Sequence, residues 1–147
     1  MIEWDYKIED EIPYFDREKT YELTKYRPID MDHGLDFVLE DFIQDALTKE
    51  RTGRYTEFRP GSKQYNDFWD ERYRRCTEGY ESGGYRITGD NYFWINFYRL
   101  ISAKDGEENF PSFTNVQYEW FHYVDLCEKL GLDCVALKPR GVNSCPR

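Results

Sequence analysis

The chain has 147 residues, 39% of them hydrophobic, enough for one domain with a core of its own. Its formal charge of -9 lies entirely in residues 1–50, where fifteen acidic face six basic side chains, so the leading third argues against direct contact with nucleic-acid backbone or an anionic membrane. No apolar run approaches the ~18 residues of a membrane span. Met1-Ile2-Glu3-Trp4-Asp5 is too acidic for a signal peptide, and the expected location is cytoplasmic.

Thirteen Tyr, ten Phe and four Trp predict an aromatic core whose hydroxyl and indole groups need partners, with many rings half-buried. The four cysteines, Cys76, Cys127, Cys134 and Cys145, have no metal-ligand spacing and only two histidines beside them, so neither a zinc site nor a disulfide framework is expected.

Residues 1–30 have no sustained period and read as an acidic, aromatic-rich arm. Trp4, Tyr6, Tyr14, Phe15, Tyr21 and Tyr26 can pin it to the body of the protein or to a partner. From Asp32 the pattern is helical, with Leu35, Val38, Leu39, Phe42, Ile43, Ala46 and Leu47 on one stripe. Asp30 or Asp32 is the candidate cap, and Gly53 the stop.

A second helix is expected from Ser62 to about Glu78, with Tyr65, Phe68, Trp69, Tyr73 and Cys76 inward. Its Arg72, Arg74 and Arg75 read as a solvated face paired with Asp67, Asp70 and Glu71, or as a phosphate contact. Tyr85–Thr88, a Gly89-Asp90 turn and Asn91–Tyr98 can form a β-hairpin, although the second run also suits a buried helix. Ala103 to Asn109 is a polar loop. A third helix is predicted from about Asn115 to Leu130, with Val116, Trp120, Tyr123, Val124 and Cys127 inward and Gly131 closing it.

The apolar run Asp133-Cys134-Val135-Ala136-Leu137 suits a strand covered on both faces, and it leads into Lys138-Pro139-Arg140-Gly141-Val142. A buried strand feeding a basic, glycine-containing turn is how a phosphate loop begins. Asn143-Ser144-Cys145-Pro146-Arg147 follows, with no Lys-Ser or Lys-Thr pair after Gly141 and no helix to supply a positive dipole end. The fold class expected is α+β: three amphipathic helices, a possible β-hairpin and one strand prepared for an α/β sheet.

Three segments in order, Ile87–Phe97, Phe110-Pro111-Ser112-Phe113 ahead of Gln117 and Trp120, and Val135–Val142, resemble the amino-terminal part of a tailed-phage terminase large subunit. That family comprises DNA-packaging motors joining a P-loop ATPase domain to an RNase-H-like nuclease. The resemblance implies that Gln117, with Phe113 and Trp120, recognises adenine, and that Lys138, Arg140 and Gly141 open a divergent Walker A loop, 133–137 being the first ATPase strand. It implies ATP and Mg²⁺ as family cofactors. The implied partners are portal, small terminase subunit and viral DNA in an infected bacterial cell. The organisation then reads as an arm (1–30), a helical leader with a possible hairpin (31–110) and the start of the ATPase domain (111–147).

No hydrophobic strand ending in Asp-Glu follows the loop, and no aspartate cluster suggests a two-metal nuclease. The expectation is a truncated, catalytically inactive terminase large subunit, with no catalytic or metal residue and no nucleotide bound by these residues alone. The alternative is a small acidic protein–protein interaction module without enzymatic activity.

Overall fold

The computed structural model describes residues 22–29 and 36–136. Residues 22–24 are helical. They are followed by α1 (Asp36–Phe42), α2 (Gln44–Thr52), α3 (Lys63–Glu78), β1 (Tyr80–Ser82), β2 (Tyr85–Ile87), α4 (Gly89–Phe97), β3 (Leu100–Ile101), β4 (Glu108–Asn109) and α5 (Asn115–Leu130). The mixed α+β content matches the sequence reading in outline. The sheets among the described residues are two antiparallel pairs, β1 with β2 and β3 with β4.

Helix α4 is the centre of the fold and packs against α2, α3 and α5. Its sequence is apolar around most of its circumference, as a surrounded helix must be. Tyr92 and Ile95 join Tyr26, Ile29, Phe42, Tyr85, Ile87 and Tyr118 in the core, so part of the predicted arm is built into the body. The arm's earlier aromatics lie outside the described residues.

The hairpin expected across Gly89-Asp90 is not formed. Thr88 caps α4 by accepting from Asn91 N–H at 3.4 Å, and the helix takes the run that also suited a strand. The hairpin forms one step earlier, β1 to β2 across Gly83-Gly84, where positive φ values of 57° and 78° give the turn a hand that matches strand twist. Gly89 is required for closeness: a Cβ there would lie 2.1 Å from the Cys76 carbonyl oxygen, so α4 starts directly against the end of α3.

The helix predicted from Asp32 to Gly53 is divided at Ile43. Ile43 N–H still donates to Leu39 O and Leu47 N–H to Ile43 O, both at 3.0 Å, but Ala46 N–H donates to Asn96 Oδ1 at 3.1 Å. Asn96 Nδ2 in turn donates to Phe42 O at 2.7 Å and Tyr92 O at 3.1 Å. The Asn96 amide is thus wedged into the Phe42–Ala46 step of the helical ladder, which kinks it. Gly53 ends α2 in the left-handed conformation as expected, while Asp30 and Asp32 lie outside the described residues.

Ser62 caps α3 as its position suggests, accepting from Tyr65 N–H at 3.2 Å. Tyr73, expected inward, is 73% exposed. Helix α5 has the predicted bounds with Thr114 as cap, but its buried face is Tyr118, His122, Leu126 and Cys127, whereas Val116 is exposed. The expected stripe does not include Tyr118 and His122; the carbonyls of Arg27 and Arg86 and the Thr24 hydroxyl satisfy their polar atoms and permit burial.

Residues 132–136 do not form the predicted buried strand. They have no regular secondary structure and are exposed, Val135 at 76%. Gly131 and Leu132 N–H close the end of α5 on Glu128 O and Cys127 O, and no described strand pairs with 132–136. The loop expected at Lys138, Arg140 and Gly141 lies outside the described residues.

Candidate functional site

The residues expected to recognise adenine stand at the start of α5. Thr114 Oγ1 accepts from Gln117 N–H at 3.2 Å, which fixes the first turn and places Gln117 one turn before Trp120. Phe113 is turned into the body, its ring 6.4 Å from Phe42 and 5.7 Å from Tyr118, while Trp120 packs on Tyr123 at 5.8 Å. Gln117 Oε1 is buried with no hydrogen-bond partner among the described residues, as are the Asn91 amide and the indole N–H groups of Trp69 and Trp94.

A cleft of ≈ 510 Å³ lies elsewhere, between residues 23–25, the end of α3, the β1–β2 hairpin and the last turn of α5, and none of Phe113, Gln117 and Trp120 lines it. Four cations face it, Lys25, Arg74, Arg86 and Lys129, with Glu78 and Glu81. Arg86 joins three segments: its guanidinium donates to Thr24 O at 3.0 Å and Glu78 O at 2.7 Å, and lies 3.5 Å from Asp125. Lys25 pairs with Glu81 at 2.9 Å, Lys129 with Asp125 at 2.6 Å, and Arg74 with Glu71 at 2.9 Å and Glu78 at 3.3 Å. The wall is therefore polar but charge-compensated, and it positions a shape and hydrogen-bonding surface more than an anion trap. Its residues are scattered over more than a hundred positions, and no local pattern announces them.

The arginines of α3 are all paired within the protein, Arg74 on the solvated face as expected and Arg72 and Arg75 largely buried. Arg74 and Arg75 hold Glu71, whose carboxyl their hydrogen bonds pull down to about 2. Arg72 turns instead to Asp45, donating from Nε at 3.2 Å and Nη2 at 3.0 Å, with Asp45 only 3% exposed. The Tyr92 hydroxyl also donates to Asp45, and burial, reinforced by that carboxylate, raises its pKa. Lys63 takes Asp67, leaving the expected Arg–Asp67 pairing unformed. Guanidinium groups also cover rings, Arg72 over Phe68 at 3.7 Å and Arg75 over Tyr80 at 3.9 Å.

Beneath the cleft His122 is fully buried. Its Nε2 lies 2.8 Å from Arg86 O, which can only accept, so Nε2 carries the proton and Nδ1 accepts from Thr24 Oγ1 at 3.3 Å. Burial lowers its pKa to about 4, so the ring is neutral at physiological pH. No group of three or more metal-ligating side chains occurs among the described residues, and no helix there is long and apolar enough to cross a membrane.

Fold and site together define a helix-rich α+β protein organised on a central helix, with a charge-compensated cleft among the described residues. No protein-family model, curated protein or solved structure matches the chain.

Proposed function

We propose that these residues form the amino-terminal part of a tailed-phage terminase large subunit, the ATP-driven motor that packages viral DNA. The observation that carries the reading is the ordered set of sequence segments 87–97, 110–120 and 135–142. Gln117 Oε1 is unpaired one turn from an indole but buried, so the adenine-recognising role of Phe113, Gln117 and Trp120 rests on the sequence resemblance. In this reading Phe113 positions the first turn of α5, and Lys138, Arg140 and Gly141 open the phosphate loop that would receive ATP with Mg²⁺. The hydrolytic groups of the family are absent from the 147 residues, so their own contribution is contact with other motor parts: portal, small terminase subunit or the remaining ATPase core.

Translation of the DNA flanking the coding sequence, in every frame, tests the proposal. It should recover the rest of the loop, an Asp-Glu strand and an acidic nuclease cluster; unrelated genes there would overturn it. A fluorescent ATP analogue should stay unbound by the chain at physiological concentrations, and saturable binding would point to a self-sufficient nucleotide-binding domain instead.

A second reading, an acidic interaction module without catalysis, is favoured by the exposure of Phe93 (48%), Tyr98 (43%) and Ile101 (66%) within nine residues. It calls for a cooperative melt of the chain alone and no terminase sequence nearby.

A further inference from the structure

The charge that faces the cleft is more one-sided than the charge of its wall as a whole. Lys25, Arg74, Arg86 and Lys129 line it against two carboxylates, Glu78 and Glu81. The other carboxylates that balance these cations, Glu71 and Asp125, stand behind the lining. Asp125 is moreover shared, 2.6 Å from Lys129 and 3.5 Å from Arg86.

Arg86 is the fixed member of the group. Its guanidinium is largely buried and donates to Thr24 O and Glu78 O, which hold it in one orientation. Lys25, Arg74 and Lys129 are more exposed, in ion pairs that contribute little in water and exchange readily for the oxygens of a ligand. Lys25 also takes the left-handed conformation, at φ 56°, alone among the described non-glycine residues. That conformation strains a residue with a Cβ, and such strain gathers where a site needs a side chain in a set place.

Size and lining restrict the occupant. A volume of ≈ 510 Å³ exceeds a lone oxyanion and suits a small molecule. Only Leu23 and Tyr80 bring apolar side chains, and the Tyr80 ring is already engaged, with Arg75 over it at 3.9 Å and Phe42 and Tyr92 packed around it at 6.2 and 6.0 Å. The lining thus lacks the apolar slot that a nucleobase needs. Glu78 and Glu81 instead offer acceptors, to which hydroxyl groups donate.

We propose that the cleft binds a small phosphorylated polyol, of the sugar-phosphate class, with the phosphate among Lys25, Arg86 and Lys129 and hydroxyl groups on Glu78 and Glu81. It shares no lining residue with Phe113, Gln117 or Trp120, so it stands apart from the terminase reading.

Isothermal titration calorimetry of the full-length chain tests the proposal, with glucose 6-phosphate and ribose 5-phosphate as probes and glucose, inorganic phosphate and adenosine monophosphate as controls. At least one sugar phosphate should bind saturably, about tenfold or more tighter than inorganic phosphate or adenosine monophosphate, and glucose should give no binding heat. Lys25→Gly removes one cation where glycine adopts the backbone without strain, so this variant should fold and bind about tenfold more weakly. Lys129→Gln, an exposed change on the opposite wall, should weaken binding alike and reads the same contact if the first variant unfolds. No saturable binding of either sugar phosphate, equal affinity for inorganic phosphate, tighter binding of adenosine monophosphate, or unchanged affinity in a folded Lys25→Gly or Lys129→Gln variant would each overturn the proposal.

Discussion

Replacing Asn96 with alanine tests the account of how α1 and α2 are joined. The side chain is fully buried and makes three hydrogen bonds, with Ala46 N–H, Phe42 O and Tyr92 O. A buried polar group left without a partner costs about 1–3 kcal/mol. Tyr92 O lies within α4, but Phe42 O and Ala46 N–H lose the group that bridges them. They are four residues apart, so a straightened helix lets them bond to each other, at the expense of packing against α4. The expected net loss is about 2–4 kcal/mol, a large part of the ~5–15 kcal/mol typical of a domain.

Urea unfolding followed by tryptophan fluorescence reads this directly, and exchange of the Ala46 amide reads the local bond. Asn96→Asp should be worse at neutral pH, because it keeps the acceptor toward Ala46 but turns a carboxylate toward two carbonyl oxygens. A loss below about 0.5 kcal/mol for Asn96→Ala, the range of an ordinary surface change, would refute the wedge.

Asp45→Asn should cost about 3–5 kcal/mol by leaving Arg72 without its counter-charge; adding Arg72→Met should then change little, and losses that simply sum would show the two groups to be uncoupled. Gly89→Ala should destabilise by about 2 kcal/mol or more, because the added Cβ meets the Cys76 carbonyl, whereas Gly106→Ala, with open space around it, should carry only the ~1 kcal/mol of its left-handed conformation; equal melting temperatures would contradict the packing of α4 on α3. His122 gains its proton more readily unfolded (6.5) than folded (about 4), so its contribution is present above pH 6.5 and is lost as pH falls toward 4. Its size is about 3 kcal/mol. The difference in stability between wild type and His122→Gln should show that slope, and a pH-independent difference would place the ring in solvent.

Local signals in the sequence determined much of the scaffold. Ser62 and Gly79 bracket α3, Gly53 stops α2, and Gly131 stops α5, because caps and left-handed stops act within a few residues and can be read from them. The aromatic composition likewise required partners for the tyrosine hydroxyls, and Tyr92 and Tyr118 have them in Asp45 and in the carbonyls of Arg27 and Arg86.

Tertiary structure decided whatever depended on a distant group. The run 89–97 is helix because Thr88 caps it and three helices surround it; its apolar content alone suited either state. The break at Ile43 needs Asn96, fifty-three residues away, to compete for bonds the local pattern assigns to one continuous helix. The buried face of α5 includes a tyrosine and a histidine, since carbonyls of Arg27 and Arg86 remove the cost of burying them. The cleft is invisible along the chain for the same reason: Lys25, Glu78, Arg86 and Lys129 become neighbours only when the segment before α1 packs across the hairpin onto α5, and hydropathy periods carry no record of such long-range pairing.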